Sequence, residues 1–219
     1  MIRILVVDDH AIVREGLKQI LADVNDMAVR DEAGNGQEAL AKIRDGEFDV
    51  VLLDISMPGR SGLEILKEIK AERPKLPVLI LSMHAEEQYA IRALRAGASG
   101  YLTKASAPDE LIGAIRKVSC GRKYVSSSLA EKLALELDID TKKPPHTTLS
   151  DREYQVMLMI ASGKSVKEIA DELCLSVKTI STYRTRLMEK MNMKKNAELT
   201  LYAIQNNLVD YSTTTFWYK

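Results

Sequence analysis

Residues 2–9 read IRILVVDD, in which four apolar residues, Ile4 to Val7, run into two adjacent carboxylates, Asp8 and Asp9. A stretch this apolar, with no polar alternation, is a strand covered on both faces. Such strands belong to parallel sheets flanked by helices. Two like charges at the end of a buried strand are costly unless something offsets them. The stretch therefore raises two questions: what covers the strand, and what holds the carboxylates.

Roughly the next 110 residues answer the first. "IVREGLKQIL" places Ile12, Val13, Leu17, Ile20 and Leu21 at helical spacing, so this helix is expected to turn these residues inward. "MAVRDEA", "DVVLLDI", "PVLILSM" and "SGYLT" read as further strands. "GQEALAKIRD", "SGLEILKEIKAER", "EEQYAIRALRAG" and "PDELIGAIRKVSCG" read as the helices between and after them. Five strands alternating with five helices predict a doubly wound, five-stranded parallel sheet, an α/β domain over residues 1–120.

From Gly121 the alternation stops. "SSSLAEKLALEL" reads as one more helix, capped by a serine. "DIDTKKPPHTT" has paired prolines and no apolar period, so 121–148 is expected to be a linker with one helix. After Leu149 the pattern is helical throughout, with helices expected at 151–161, 166–173, 177–191 and 197–206. Ser150 with Glu153 and Ser165 with Glu168 form S-x-x-E capping boxes at the first two. An all-α domain is thus expected over 149–210, followed by a tail, 211–219, whose Phe216, Trp217 and Tyr218 follow no helical period.

Composition narrows the classes. At 46% hydrophobic and 28% charged, the chain of 219 residues has the balance of an ordinary globular protein. The formal net charge is zero. From His146 onward there are ten Lys/Arg and eight Asp/Glu, against twenty-one and twenty-three before it, an asymmetry too small to name a partner. Cys120 and Cys174 stand far apart and outside any C-x-x-C pair, which argues against a disulfide framework or zinc site and fits a reducing compartment. Cys174 reads as a small core residue. No apolar stretch approaches membrane-span length, so the expected location is cytoplasmic with no membrane partner. "SGKS" at 162–165 imitates the end of a P-loop, but Leu158 stands where the motif requires glycine.

Ligands of open α/β sheets bind beyond the carboxyl ends of the strands. Strand one ends in Asp8 and Asp9, strand three in Asp54 and strand four in Ser82, and strand five is followed by Lys104. Carboxylates with water suit Mg²⁺, which would offset their repulsion and leave coordination positions for phosphoryl oxygens. A carboxylate can attack phosphorus to give an aspartyl phosphate. Lys104 would neutralise one phosphoryl oxygen and Ser82 would donate a hydrogen bond to another.

At these residues the chain resembles the flavodoxin-like receiver domain of two-component response regulators: "VVDDH", "LLDISMPGRSG", "LSMHAEE" and "GYLTKA" fall in that family's order and spacing. The resemblance covers about residues 1–120. It implies that Asp54 is the phosphoacceptor and that Asp8, Asp9, Asp54 and the backbone carbonyl of Ser56 hold Mg²⁺. It further implies that Ser82 and Tyr101 are a switch pair, the hydroxyl turning inward on phosphorylation and the ring following. Two positions depart from the pattern. Ala105 follows the lysine where many receivers have a cis proline, and a cis bond before alanine costs about 3 kcal/mol. Met83 stands where the family often has a small residue.

The second domain resembles the LuxR-type helix-turn-helix, over about 147–210, on "LSDREYQVMLMIASGKSVKEIADELCLSVKTISTYRTRLMEKM" and "AELTLYAI". With the receiver in front, the architecture is that of the NarL/FixJ class. "KTISTYRTRLMEKM" and "AELTLYAI" resemble the GacA/UvrY type within it. In "SVKTISTYRTRLMEKM", Val177, Ile180, Leu187 and Met191 read as an apolar back and the rest as a polar front. The resemblance implies that Ser181, Thr182 and Thr185 face base edges and that Lys178, Thr179, Arg184 and Arg186 meet phosphates of double-stranded DNA. None of the three base-facing residues can make the bidentate contacts of Arg, Asn or Gln, so shape, water or methyl contacts would carry part of the readout. The last helix, through Ala197, Leu201 and Ile204, would form a homodimer contact on phosphorylation. The expected function is a transcription regulator that a sensor histidine kinase phosphorylates. A phosphatase of the aspartyl-phosphate type is disfavoured, since Ser56 stands where such enzymes usually carry a second acid.

Overall fold

The computed structural model describes residues 1–84, 86–126, 129–131 and 144–209. These form two compact units, 1–139 and 140–219.

The first unit holds five strands: β1 Ile2–Val7, β2 Met27–Ala33, β3 Val50–Asp54, β4 Val78–Ser82 and β5 Gly100–Thr103. Between and after them run α1 Ala11–Ala22, α2 Gly36–Asp45, α3 Gly62–Glu72, α4 Glu86–Arg95 and α5 Pro108–Ser119. All pairings are parallel, in the order β2-β1-β3-β4-β5. Strand order therefore reverses at β1, and a crevice opens beyond the carboxyl ends of β1 and β3. β3 and β4 are buried at every residue, as continuous apolar runs require. On one face Ile4, Val6, Val50, Leu52, Leu79 and Leu81 pack with Leu17 and Leu21 of α1 and Leu111, Ile115 and Val118 of α5.

One expectation for α1 needs correction. Ile12 does not face the core; it is 82% exposed, and Leu17 and Leu21 supply the buried contacts. After α5 the chain returns to the sheet, where Tyr124 bridges Gly100 and donates its N–H to the Ser99 carbonyl at 2.8 Å. Of the helix expected from Ser126, residues 129–131 are helical, with Ser126 Oγ accepting the Leu129 N–H at 3.1 Å. The rest of that helix, residues 132–143 of the linker, and the tail lie outside the described residues.

The second unit begins with a 3₁₀ turn, Pro145–Thr148, followed by α6 Asp151–Ala161, α7 Val166–Glu172, α8 Val177–Met191 and α9 Asn196–Gln205. α6 is central: it packs on α8 and α9, and every residue from Arg152 to Ala161 is buried. Both expected capping boxes form, each serine accepting an N–H three residues on while its glutamate reaches back.

Cys174 is exposed, not part of the core. It sits just past α7 in the left-handed region, φ 52°. There its N–H bonds the Asp171 carbonyl and the Leu175 N–H bonds Ala170. That pair of bonds is a Schellman end, which turns the side chain away from the helix and starts the short turn to α8. Val177, expected in the apolar back of α8, is 51% exposed at its first turn; Ile180, Leu187, Met188 and Met191 make the buried stripe.

Glu153 ties the start of α6 to the end of α8. Its Oε2 accepts from Lys190 Nζ at 2.6 Å and from the Ser150 N–H at 2.8 Å. Burial opposes this charge, but Lys190 and Ser150 outweigh it and hold the carboxyl below the usual glutamate range. A depressed folded value means stability that is present above the unfolded pKa and lost as pH falls through the folded one. The second unit should therefore lose thermal stability below about pH 4, and Glu153→Gln should flatten that loss while lowering the melting temperature at pH 7. Parallel acid profiles for the two proteins would remove Glu153 from the account.

Candidate functional site

Three loops at the carboxyl edge of the sheet bring together the predicted acidic residues and Lys104. Asp8 follows β1, where its N–H extends the ladder to the Ala33 carbonyl at 3.1 Å. Asp54 closes β3, and Lys104 follows β5 with its N–H on the Ser82 carbonyl at 2.7 Å. Lys104 Nζ reaches Asp54 Oδ2 at 2.7 Å and Asp8 Oδ2 at 2.6 Å. Asp8 and Asp54 are buried, and Asp9 is mostly so. The Lys104–Ala105 peptide is trans.

Burial pushes the Asp54 carboxyl above its ordinary value, against the pull of Lys104 and of the Ser56 N–H, which donates to its Oδ1 at 3.0 Å. Burial also opposes the Lys104 charge, but its hydrogen bonds to Asp54 and Asp8 outweigh that and hold the ammonium above its usual range. Lys104 thus pairs with two of the three carboxylates, Asp54 and Asp8. The cluster has an excess of negative charge that a divalent cation would balance. Asp8, Asp9, His10 and Asp54 each offer a ligand atom, all within 4.8 Å of one another. Asp9 Oδ1 is buried without a hydrogen-bond partner among the described residues. It lies 3.1 Å from His10 Nδ1 without the alignment of a hydrogen bond. Oxygen donors, excess charge and an orphaned carboxylate oxygen all fit Mg²⁺.

Ser82 is fully buried, and its Oγ accepts the His84 N–H at 3.0 Å. Tyr101 is 0% exposed, and its hydroxyl donates to the His84 carbonyl at 2.9 Å. The ring stands in the inward position. Both residues meet on the backbone of His84, a junction that the side-chain pattern could not reveal. Met83 is exposed. A further contact escaped the sequence: Arg14 Nη1 donates to the Asp8 carbonyl at 2.7 Å, which anchors the acidic loop to α1.

In the second unit, Lys178, Ser181, Thr182, Thr185 and Arg186 are exposed on α8, with Thr179 and Arg184 half-buried. Thr182 Oγ1 donates to the Lys178 carbonyl at 2.9 Å and Thr185 Oγ1 to Ser181 at 3.0 Å. Their hydroxyl protons are spent inside the helix, so each presents a methyl group and acceptor lone pairs outward. Thr179 Oγ1 lies 2.8 Å from the capping Ser176 hydroxyl, and Arg184 Nε donates to Asn196 at 2.9 Å. On α9, Leu199 and Ala203 are buried, whereas Leu201 is 56% exposed, Ala197 is exposed and Ile204 half-buried. Among the described residues no helix is long and apolar enough to cross a membrane.

Residues 4–116 match the family model described as response regulator receiver domain, and residues 147–203 match that of bacterial regulatory proteins, luxR family. The chain is 41% identical over 213 residues to the response regulator GacA of Pseudomonas viridiflava, covering 97% of this chain and 100% of that one. It is 40% identical over 214 residues to the response regulator UvrY of Escherichia coli K12, covering 97% and 98%. Among solved structures it resembles RcsB of Salmonella enterica serovar Typhimurium bound to the promoter rprA in the presence of the phosphomimetic BeF3⁻. That match has a TM-score of 0.62 and 27% identity, with coverage of 92% of this chain and 98% of that one.

Proposed function

The chain belongs to the response regulators that join a receiver domain to a LuxR-type regulatory domain, and on that premise we propose that Asp54 is the residue its partner histidine kinase phosphorylates. The protein is a phosphorylation-dependent, DNA-binding transcription regulator, not an enzyme. We assign the receiver to 1–120, a linker with one helix to 121–148, the DNA-binding domain to 149–210 and a tail to 211–219, in the cytoplasm. The two compact units support that division.

The observation that carries the reading is the buried Asp54 carboxylate held 2.7 Å from Lys104 beside two further carboxylates. Asp8, Asp9, Asp54 and the Ser56 carbonyl would hold Mg²⁺, which when bound supplies charge neutralisation and coordination for phosphoryl oxygens. An Asp54 oxygen attacks phosphorus as the bond to the kinase histidine breaks. Lys104 neutralises a phosphoryl oxygen as charge develops. Ser82 can donate its own proton to another oxygen while still accepting from His84, since a hydroxyl does both. Ser82, His84 and Tyr101 then form one connected path from the acceptor to the β4–β5 face.

On DNA, Ser181, Thr182 and Thr185 face base edges. Lys178, Thr179, Arg184 and Arg186 meet phosphates. The spent threonine protons favour methyl and acceptor contacts, such as a thymine methyl or a cytosine amine. The exposed Leu201 stripe of α9 would pair two copies on phosphorylation. Lys178→Ala should weaken binding to all sequences alike and flatten the salt dependence by about one unit. Thr182→Ala should change preference among sites more than overall affinity. Lost preference in the lysine variant, with the threonine variant unchanged, would reverse the two roles.

The test of the whole reading is a titration of one operator with three proteins: a fragment from residue 140, the full chain, and the full chain phosphorylated. The coupling is expected to be about 1–3 kcal/mol, or roughly 5–150-fold in affinity. Equal affinity for all three would mean that phosphate acts on something other than DNA access.

A further inference from the structure

His10 follows the two carboxylates directly, and the phosphoryl chemistry above leaves its ring without a part. The side chain is 62% exposed, yet Nδ1 turns back onto the acidic loop, 3.1 Å from Asp9 Oδ1 and donating to Asp8 Oδ1 in a 3.3 Å hydrogen bond, which an ion would replace with the ring proton moved to Nε2. The His10 N–H donates to that same Asp8 oxygen at 2.9 Å, which fixes the peptide from which the ring projects. An ion with bonds of about 2.1 Å spans octahedral edges of about 3.0 Å and diagonals of about 4.2 Å. The 3.1 and 3.3 Å separations are already close to such edges. The 4.8 Å limit on the four-residue set leaves only a small contraction for one ion to be shared by all four.

Donor chemistry then decides which ion uses the ring. Carboxylate and water oxygens suit Mg²⁺, whereas imidazole nitrogen raises affinity for borderline dications such as Co²⁺ and Ni²⁺. We infer that His10 is an additional side-chain ligand of the receiver's metal site, engaged by transition-metal dications and left free by Mg²⁺. The inference rests on the reading of Asp8, Asp9 and Asp54 as that metal site. The exposed ring has room to swing onto or off an ion without repacking the core.

The test uses the full chain, titrated calorimetrically with MgCl₂ and with CoCl₂, beside His10→Gln, His84→Gln and Asp9→Asn. His10→Gln should lower Co²⁺ affinity by at least about tenfold and leave Mg²⁺ affinity within about twofold of the parent's. His84→Gln should match the parent, and Asp9→Asn should weaken both ions. Proton NMR of the Co²⁺-loaded parent should show a strongly shifted, exchangeable imidazole N–H resonance that persists in His84→Gln and is absent from His10→Gln. A parent that binds neither ion overturns the metal reading and the His10 assignment together. A parent that binds both, with His10→Gln losing both equally or neither, or keeping the shifted resonance, overturns the His10 assignment alone.

Discussion

Asp54→Asn, offered Mg²⁺ and a small phosphodonor, is expected to take up no phosphoryl group where the parent takes one. The amide has the size of the carboxylate but neither its charge nor a nucleophilic oxygen. Lys104 keeps Asp8 as a partner at 2.6 Å, so the loop retains a buried ion pair and the variant should fold. The neighbouring carboxylates are poor substitutes for different reasons. Asp8 is buried with Oδ2 on Lys104 and Oδ1 on the His10 N–H. Asp9 has an unpartnered oxygen, which makes it the residue to watch. Intact mass after a fixed incubation reads the outcome, and brief alkaline hydrolysis tests whether any label is an acyl phosphate. Undiminished label on the variant, stable to acid and to base, would place the chemistry on another residue type.

What the sequence made legible follows from what it encodes locally. The strand–helix alternation is written in apolar period and length, so elements such as Gly36–Asp45 and Asp151–Ala161 lie where the pattern puts them. The convergence of Asp8, Asp54 and Lys104 was also legible, because parallel topology sends every strand's carboxyl end to one edge. Residues at element ends were not. Ile12 and Val177 have the right spacing for a core stripe, yet each lies in the first turn of its helix and is exposed. Cys174 looked like a small core residue because composition favours that; a Schellman turn, set by backbone hydrogen bonds, exposed it. Contacts made by main chain to distant side chains are silent in the sequence. The Tyr101 hydroxyl on the His84 carbonyl and Arg14 on the Asp8 carbonyl are of that kind.

Gly62 belongs with those silent positions, and its replacement is expected to have the largest effect on stability. It opens α3, just after the Ser61 cap, and its N–H donates to the Ile55 carbonyl at 3.1 Å. A Cβ there would lie 2.3 Å from the Asp54 carbonyl oxygen and 2.6 Å from Ile55 Cα. Both are backbone atoms of the residue pair that carries the acceptor, so no rotamer change relieves the clash. Gly36 offers the contrast, since its Cβ would meet side-chain atoms, those of Ile65, and not backbone. Gly62→Ala must move the start of α3 or the end of β3, at or above the usual 1–3 kcal/mol cost of overpacking. Gly113 gives the matched control. It lies within α5 with nothing within 4 Å of its would-be Cβ, so Gly113→Ala should stabilise by about 0.5–1 kcal/mol through helix propensity. Urea unfolding of the two variants beside the parent, followed by circular dichroism, should therefore move the receiver's transition in opposite directions. The fraction of Gly62→Ala that remains folded should also phosphorylate more slowly, because the clash falls on the Asp54 main chain itself. A Gly62→Ala midpoint at or above the parent's would mean that α3 and β3 are not held against each other at this residue, and that the acceptor loop owes its shape to Ser61 and Ser56 alone.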